Sequence, residues 1–327
     1  MKDNSILIVV ALLLLGVAFI SLGTGEINIP FNEVLSAMIN RSSAYNNQII
    51  QNIRIPRTVA GMLIGATLSA SGLLTSITMK NPLADSGILG IQAGATVGAL
   101  FAILVLPGLI MFLPMLAFLG GFVAFLIIIL ASMRGQFSPM RVVLVGVAIN
   151  AVATSIIGVI TILNAHRIRN VLSWLNGSLL TVSRADLDVM LIYSLVVVVI
   201  LFISMPIVKL LRLEDMFIIN IGHNPTKLRI LVSLLAVLLA SISVAYVGII
   251  SFIGIIAPQI AKRLIDTSNL YRHMILSMCV GALIVVGSDV VSRYLFSPVE
   301  IPVGVLIGIV GAPIFVILAG GKNDARS

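Results

Sequence analysis

Chemistry needs groups that take a proton, hold a metal or carry charge where water is scarce, and this 327-residue sequence offers few. It contains no GxxxxGK phosphate loop, no HExxH, no GxSxG and no pair of cysteines. His166, His223 and His273 fall in separate loops or at helix ends, and Cys279 stands alone in the apolar run MILSMCVGALIVV. These residues predict no catalytic constellation, no metal site and no bound cofactor. What remains is charge set beside apolar sequence. In NIRIPRTVAGMLIGATLSASG, residues 52–72, Arg54 and Arg57 flank a proline at the mouth of an apolar, small-residue segment, with no acidic neighbour in sequence. In VVGSDVVSRYL, Asp289 and Arg293 are four residues apart, one turn along a helix face, so an ion pair near the helix end is geometrically natural. Charge inside a bilayer is expensive and usually functional.

The elements that position these groups are membrane helices. The chain is 59% hydrophobic and 10% charged, with a mean hydropathy of +1.18, whereas a soluble domain carries roughly 25% charged residues. Taking about 20 apolar residues per crossing, ten segments qualify: 5–22, 57–79, 88–106, 111–132, 140–163, 187–209, 229–249, 251–265, 273–294 and 302–319. The expected fold is all-α and polytopic, a single transmembrane domain over residues 1–327. With the N-terminus inside, thirteen basic residues, all six lysines among them, fall on the cytoplasmic side and seven outside. The positive-inside rule selects this topology, with both termini cytoplasmic. The net charge of +8 is then a matter of loops held against anionic lipid, and no basic-aromatic pattern points to nucleic acid.

Three connections stand out. Residues 23–56 contain a short helix, FNEVLSAMI. Residues 164–186 carry an amphipathic stretch in which Trp174 is expected to anchor at the interface. Residues 210–228, LLRLEDMFIINIGHNPTKL, form the longest inner loop and turn at Gly222 and Pro225. Between the second and third segments, NPLAD reads as a turn through Asn81 and Pro82, with Asp85 able to cap the following helix. Two other classes stay open on residues alone. An ion-coupled transporter would need several intramembrane ionisable groups, and the sequence offers Asp289 and a short, proline-containing eighth segment. An intramembrane enzyme would need a nucleophile–base or metal set.

Several segments in order resemble the permease subunits of the iron-siderophore, haem and cobalamin importers of the ATP-binding-cassette class, the FecCD type. They are IRIPR (53–57), GATLSASGLLTSITMKNPLADSGILGIQAGATVGA (65–99), LVGVAIN (144–150), VGIISFIGIIAPQIAKRL (247–264) and SDVVSRYLFSPVEIPVGVLIGIVGAPIFVILA (288–319). The resemblance implies a second permease subunit, identical or related, two separate ATPase subunits below and an extracytoplasmic substrate-binding protein above. It implies that Arg54, Arg57 and Arg293 face outward and pair with carboxylates of the binding protein. Guanidinium suits that role as a planar, permanent charge. It further implies that the inner loop couples to the ATPase. Here this chain has Glu214-Asp215, Ile218 and Ile221-Gly222 where the family has Gly-Glu, alanine and Leu-Gly. Asn81, Pro82 and Asp85, with Ser138-Pro139 at the position of the family's inner constriction, would lie near a gate. The commonest cargo of the family is a ferric siderophore, with haem and cobalamin behind it.

Overall fold

The computed structural model describes residues 2–25, 29–38, 44–85, 87, 90–132, 139–167, 169–265, 268–296 and 300–320. Fourteen α-helices run through the described residues. They are α1 Lys2–Gly23, α2 Phe31–Met38, α3 Ala44–Ile49, α4 Ile55–Thr78, α5 Ile91–Leu100, α6 Leu113–Ser132, α7 Pro139–Leu163, α8 Arg169–Leu175, α9 Arg184–Leu210, α10 Asp215–Asn220, α11 Pro225–Val247, α12 Ile253–Leu264, α13 Leu270–Leu295 and α14 Val303–Gly320. Seven helical stretches are long and apolar enough to cross a membrane. The shorter apolar stretches Ile91–Val105 and Val303–Ile317, with α12, complete the ten segments expected from hydropathy.

Helix α4 is the axis of the bundle. It pairs most extensively with α13 and also packs on α11 and α12, and 72% of its apolar window is buried, against 11% for α7. Lipid is as apolar as leucine, so helices in a bilayer associate through close packing and hydrogen bonds. Small residues supply both here. A Cβ on Gly65 would stand 2.3 Å from the Gly281 carbonyl oxygen of α13, and one on Gly72 1.9 Å from that of Gly254 on α12. Ser69 donates to the Ser277 carbonyl at 2.7 Å and Ser71 to the Ala236 carbonyl at 2.8 Å.

The expected eighth segment is a half-helix. Backbone leaves helical geometry after Val247 and re-enters it at Ile253, through Gly248 at φ +79° and Phe252 at φ +69°. The twelve-residue α12 spans about 18 Å, too short for a full crossing. Irregular backbone at membrane depth is tolerated only where protein surrounds it, and here it is covered. Ser178 N–H donates to the Val247 carbonyl at 2.9 Å, and Gly304 N–H to the Gly177 carbonyl at 2.8 Å. Trp174 takes part in that cover. It is buried beside Val171, Ala95 and Val244, so it packs the bundle instead of anchoring at the lipid interface. Its neighbours explain the difference: a Cβ on Gly248 would meet the Trp174 carbonyl oxygen at 1.8 Å, which pins this segment against α11.

Candidate functional site

One end of the bundle is built around Asp289. A π-helical turn, Ile50–Arg54, runs into α4 with a proline in its first turn. Extra-residue turns of this kind re-aim side chains and recur at functional sites. Arg57 reaches across to α13, where its Nε and Nη2 both donate to Asp289 Oδ1, at 2.9 and 2.8 Å. Its third nitrogen, Nη1, donates to Glu300 Oε2 at 2.8 Å. Arg293, four residues along α13, closes on the other carboxylate oxygen, Nη2 to Oδ2, at 2.9 Å. It also donates to the Thr24 carbonyl at 2.8 Å and to Ser21 Oγ at 2.6 Å. Arg54 donates to the Leu22 carbonyl at 2.7 Å.

The expected Asp289–Arg293 pair is present, and the acidic partners that sequence proximity could not supply come from 232 and 243 residues away. The orientation differs from expectation. Arg54, Arg57 and Arg293 are buried, as is Asp289, so their guanidinium groups turn inward. The reason is desolvation, since a buried guanidinium without an anion or several carbonyls is far costlier than one that is paired. In this group Glu300 is the charged member that reaches solvent, with its side chain 28% exposed.

The end of α4 opposite Arg57 is built around Asp215. Lys80, two residues past α4 and in the left-handed region at φ +49°, places Nζ 2.9 Å from Asp215 Oδ1 and 3.1 Å from the Leu213 carbonyl. Buried Arg229 of α11 donates to the same Asp215 oxygen at 2.8 Å. Partial burial pushes the Asp215 carboxyl up, but its bonds to Lys80 and Arg229 outweigh that and hold it below the usual carboxylate range. Glu214 is exposed at the start of α10, and Gly222 is exposed at φ +85° in the turn that follows.

Ile218 departs from its expected place on a coupling surface. It is fully buried, packed with Met205, Val208 and Val232. The side chains around it on α10 point the other way: Met216, Phe217, Ile219 and Ile221 are all exposed. A six-residue helix held by one inward isoleucine and one clamped aspartate therefore presents an apolar face.

Asn81 Oδ1 accepts from Leu83 N–H at 2.9 Å, the expected turn, and the Pro82 carbonyl accepts from Gln259 of α12 at 3.0 Å. Asp85 does not stand at the head of the following helix. Gly90, at φ +76°, is the N-cap of α5, with no side-chain cap there. Asp85 is buried with its carboxylate against Gly254 in the first turn of α12, where a Cβ would stand 2.0 Å from Oδ1, a position that suits the positive end of a helix. Pro139 opens α7, and Ser138 lies outside the described residues. Lys80, Arg229, Ser21 and Glu300 were not foreseen as participants. Only Glu300 had a signal, its place in the E-I-P motif.

Ten apolar segments around buried ion pairs define a polytopic membrane protein, and comparison with known proteins says of which kind. The sequence pattern of the FecCD transport family matches residues 12–320. A chain of Staphylococcus aureus strain Newman, described as a "probable heme-iron transport system permease protein IsdF", is 32% identical over 318 residues, 97% of this chain and 96% of that one. A solved chain from a transporter assigned to the metal-chelate type of ABC transporter, in an inward-facing conformation, superposes with a TM-score of 0.82. That chain is 26% identical, and the match covers 98% of this chain and all of that one. PsaBC from Streptococcus pneumoniae, at 16% identity and a TM-score of 0.58, shares the fold.

The chain belongs to the FecCD transport family. It is a permease subunit of an ATP-binding-cassette importer, a transport component and not an enzyme. It works with ATPase subunits, a substrate-binding protein and a second permease subunit.

Proposed function

We propose that the cargo is an iron chelate, and that it is haem in place of the ferric siderophore expected from the sequence. The observation that carries this is the end-to-end match, 97% of this chain, to a protein described as a haem-iron permease. The test is ATP turnover by the chain reconstituted with its ATPase and binding protein. Haem-loaded binding protein is expected to stimulate turnover and a ferric hydroxamate-loaded one is not. The reverse pattern overturns the assignment of haem.

We further propose that both termini are cytoplasmic, supported by the thirteen-to-seven division of basic residues, and that the chain acts as one unit from end to end. The binding protein docks over the Asp289 cluster. Two of the three Arg57 nitrogens are committed inward, and the third is held by part-exposed Glu300. An incoming carboxylate takes the place of Glu300 at Arg57, with Arg54 and Arg293 as fixed charges behind it. Such pairs set orientation and encounter rate more than raw affinity.

At the other end the ATPase receives the apolar face of α10, with Glu214 and Gly222 at its margins and Asp215 transmitting its displacement to α4 and α11. The turn at Asn81, Pro82 and Asp85 and the start of α7 at Ser138 and Pro139 lie near the inner gate. ATP binding and hydrolysis shift the population between outward and inward openings through their differential affinity for the two states. Glu300→Gln is expected to tighten docking of the binding protein, because it removes the charge that competes for Arg57 Nη1 without disturbing Asp289. Weaker docking in that variant would count against exchange at Arg57.

A further inference from the structure

We infer that the inner end of this subunit carries a binding site for the phosphate headgroup of an anionic phospholipid. Between the ends of α4, α12 and α13 lies a cavity of about 280 Å³. Its floor is apolar, made by Leu73, Ile77, Ile265 and Leu270, and three of these are buried below 4% exposure. Its rim is cationic: Lys80, Arg212 and Lys262 come from three separate places in the chain, with the imidazole of His273 beside them as a further polar group, and no carboxylate lines it among the described residues.

No counter-charge in the cavity places these groups. Arg212 is drawn over by Nη1 donating to the Ser268 carbonyl at 3.0 Å, which ties the inner loop to the start of α13. The His273 ring bonds through Nε2 to the Pro258 carbonyl at 3.0 Å, which keeps the imidazole at the wall. Lys80 shares its ammonium with Asp215, which lies outside the cavity lining. Lys262 stands in the last turn of α12 and is exposed. Like charges gathered around a concavity are mutually repulsive and gain from an anion between them.

The mixed character selects the occupant. A free inorganic anion satisfies the rim but gains nothing from four apolar side chains beneath it. A phospholipid satisfies both, with its phosphate on the rim and the head of an acyl chain on the floor. Basic cavities between membrane helices on the cytoplasmic side are where anionic headgroups are recognised. The placement also has a consequence for coupling. A second cavity, of about 270 Å³, shares Ile77, Lys80 and Arg212 and extends to Glu214 beside α10. A phosphate at Lys80 therefore competes with Asp215 for the same ammonium, so headgroup occupancy bears on how firmly α10 is held to α4.

The test uses the full chain in detergent micelles, with retention of phosphatidylglycerol and phosphatidylcholine measured by native mass spectrometry. Wild type is expected to retain phosphatidylglycerol preferentially. Arg212→Gln/Lys262→Gln is expected to weaken that retention by roughly 10- to 30-fold, since each basic residue near an anionic surface contributes about fivefold. Lys227→Gln, an inner lysine outside the cavity, is expected to leave it unchanged.

Equal retention of the two lipids by wild type overturns the proposal, as does an unchanged preference in the double variant or an equal loss in Lys227→Gln. Displacement of the lipid by glycerol phosphate at comparable concentration overturns the lipid as occupant. A double variant that binds lipid normally but fails to assemble with the ATPase assigns the rim to the partner and overturns the proposal as well. The inference rests on the cytoplasmic placement of this end. The micelle measurement is independent of placement, so labelling of position 262 from outside the cell would sink the orientation while leaving the binding result standing.

Discussion

Asp289→Asn is the sharpest perturbation the structure offers. The substitution keeps the shape of the side chain and removes its charge, while Arg57 and Arg293, with side chains 7% and 4% exposed, stay where they are. The new amide also turns donors toward guanidinium donors. Removing one partner from a buried ion pair costs about 3–5 kcal/mol, because the other charge is left uncompensated. Two arginines lose an anion here, but neither loses every partner. Arg57 keeps Glu300, and Arg293 keeps Thr24 and Ser21. The expected loss therefore stays within that range and does not double.

Glu300→Gln removes a charge that is 28% exposed and is expected to cost no more than about 1 kcal/mol. Cys279, the one cysteine, lies part-buried within α13, so a thiol-reactive dye reports unfolding of the full chain in detergent on heating. At about 2–4 °C per kcal/mol, Asp289→Asn should unfold at least about 6 °C below wild type, and Glu300→Gln within a few degrees of it. An Asp289→Asn midpoint equal to wild type, or a Glu300→Gln loss as large, would refute the account of the Asp289 cluster.

The same dye assay should separate two glycines. Gly65→Ala forces a methyl to 2.3 Å from the Gly281 carbonyl and is expected to cost about 1–3 kcal/mol. Gly158→Ala, with nothing within 4 Å of its Cβ, should be neutral or slightly stabilising. The Asp215 clamp should show in the pH dependence of the midpoint. Its carboxyl is lowered on folding, so its contribution is fully present above the ordinary carboxyl value of about 4 and is lost as pH falls through the lower folded value. The gap between wild type and Asp215→Asn, under about 1 kcal/mol for a side chain 42% exposed, should hold constant from pH 8 to pH 5 and close below pH 4. Gly222→Ala strains a left-handed turn by about 1–2 kcal/mol without touching a neighbour. It should blunt stimulation of ATP turnover by the binding protein while leaving that protein's affinity unchanged.

Hydropathy located the bundle because each span needs its own apolar run, and that requirement is local. The Asp289–Arg293 pair was equally local, one helical turn. Arg57 could be flagged as an anomaly, but its partners are set by how α4 lies on α13, and no spacing rule reaches across 232 residues. Asp85 illustrates a different limit. A carboxylate before a helix is the usual signature of a cap, yet Gly90 turns the chain away, and α12, from far along the sequence, takes the carboxylate instead. For Ile218, a position matched to a motif carried no information on which side of a six-residue helix faces the bundle. The answer came from the packing of α9 and α11 behind it.

The distribution of small residues divides the molecule into parts that can move and parts that cannot. Backbone-to-backbone contacts at Gly65–Gly281 and Gly72–Gly254, with hydrogen bonds from Ser69 and Ser71, join α4 to α11, α12 and α13 at distances that admit no added methyl. Packed interfaces of this density are bistable at most and do not deform gradually. Arg57 stands in the first turn of α4 and Lys80 just past its end, so the Asp289 cluster and the Asp215 clamp belong to one rigid body about 36 Å long. Helices α7 and α1, with 11% and 28% of their apolar windows buried, are more sparsely packed, although a Cβ on Gly90 would come within 2.9 Å of the α7 backbone at Asn150. At Gly158 and Gly16 a Cβ would meet nothing within 4 Å. Alternation of access therefore falls to displacement of whole subunits and of their sparsely packed margins. On the proposed coupling at α10, a force applied there reaches the Asp289 cluster through α4 without any helix having to bend.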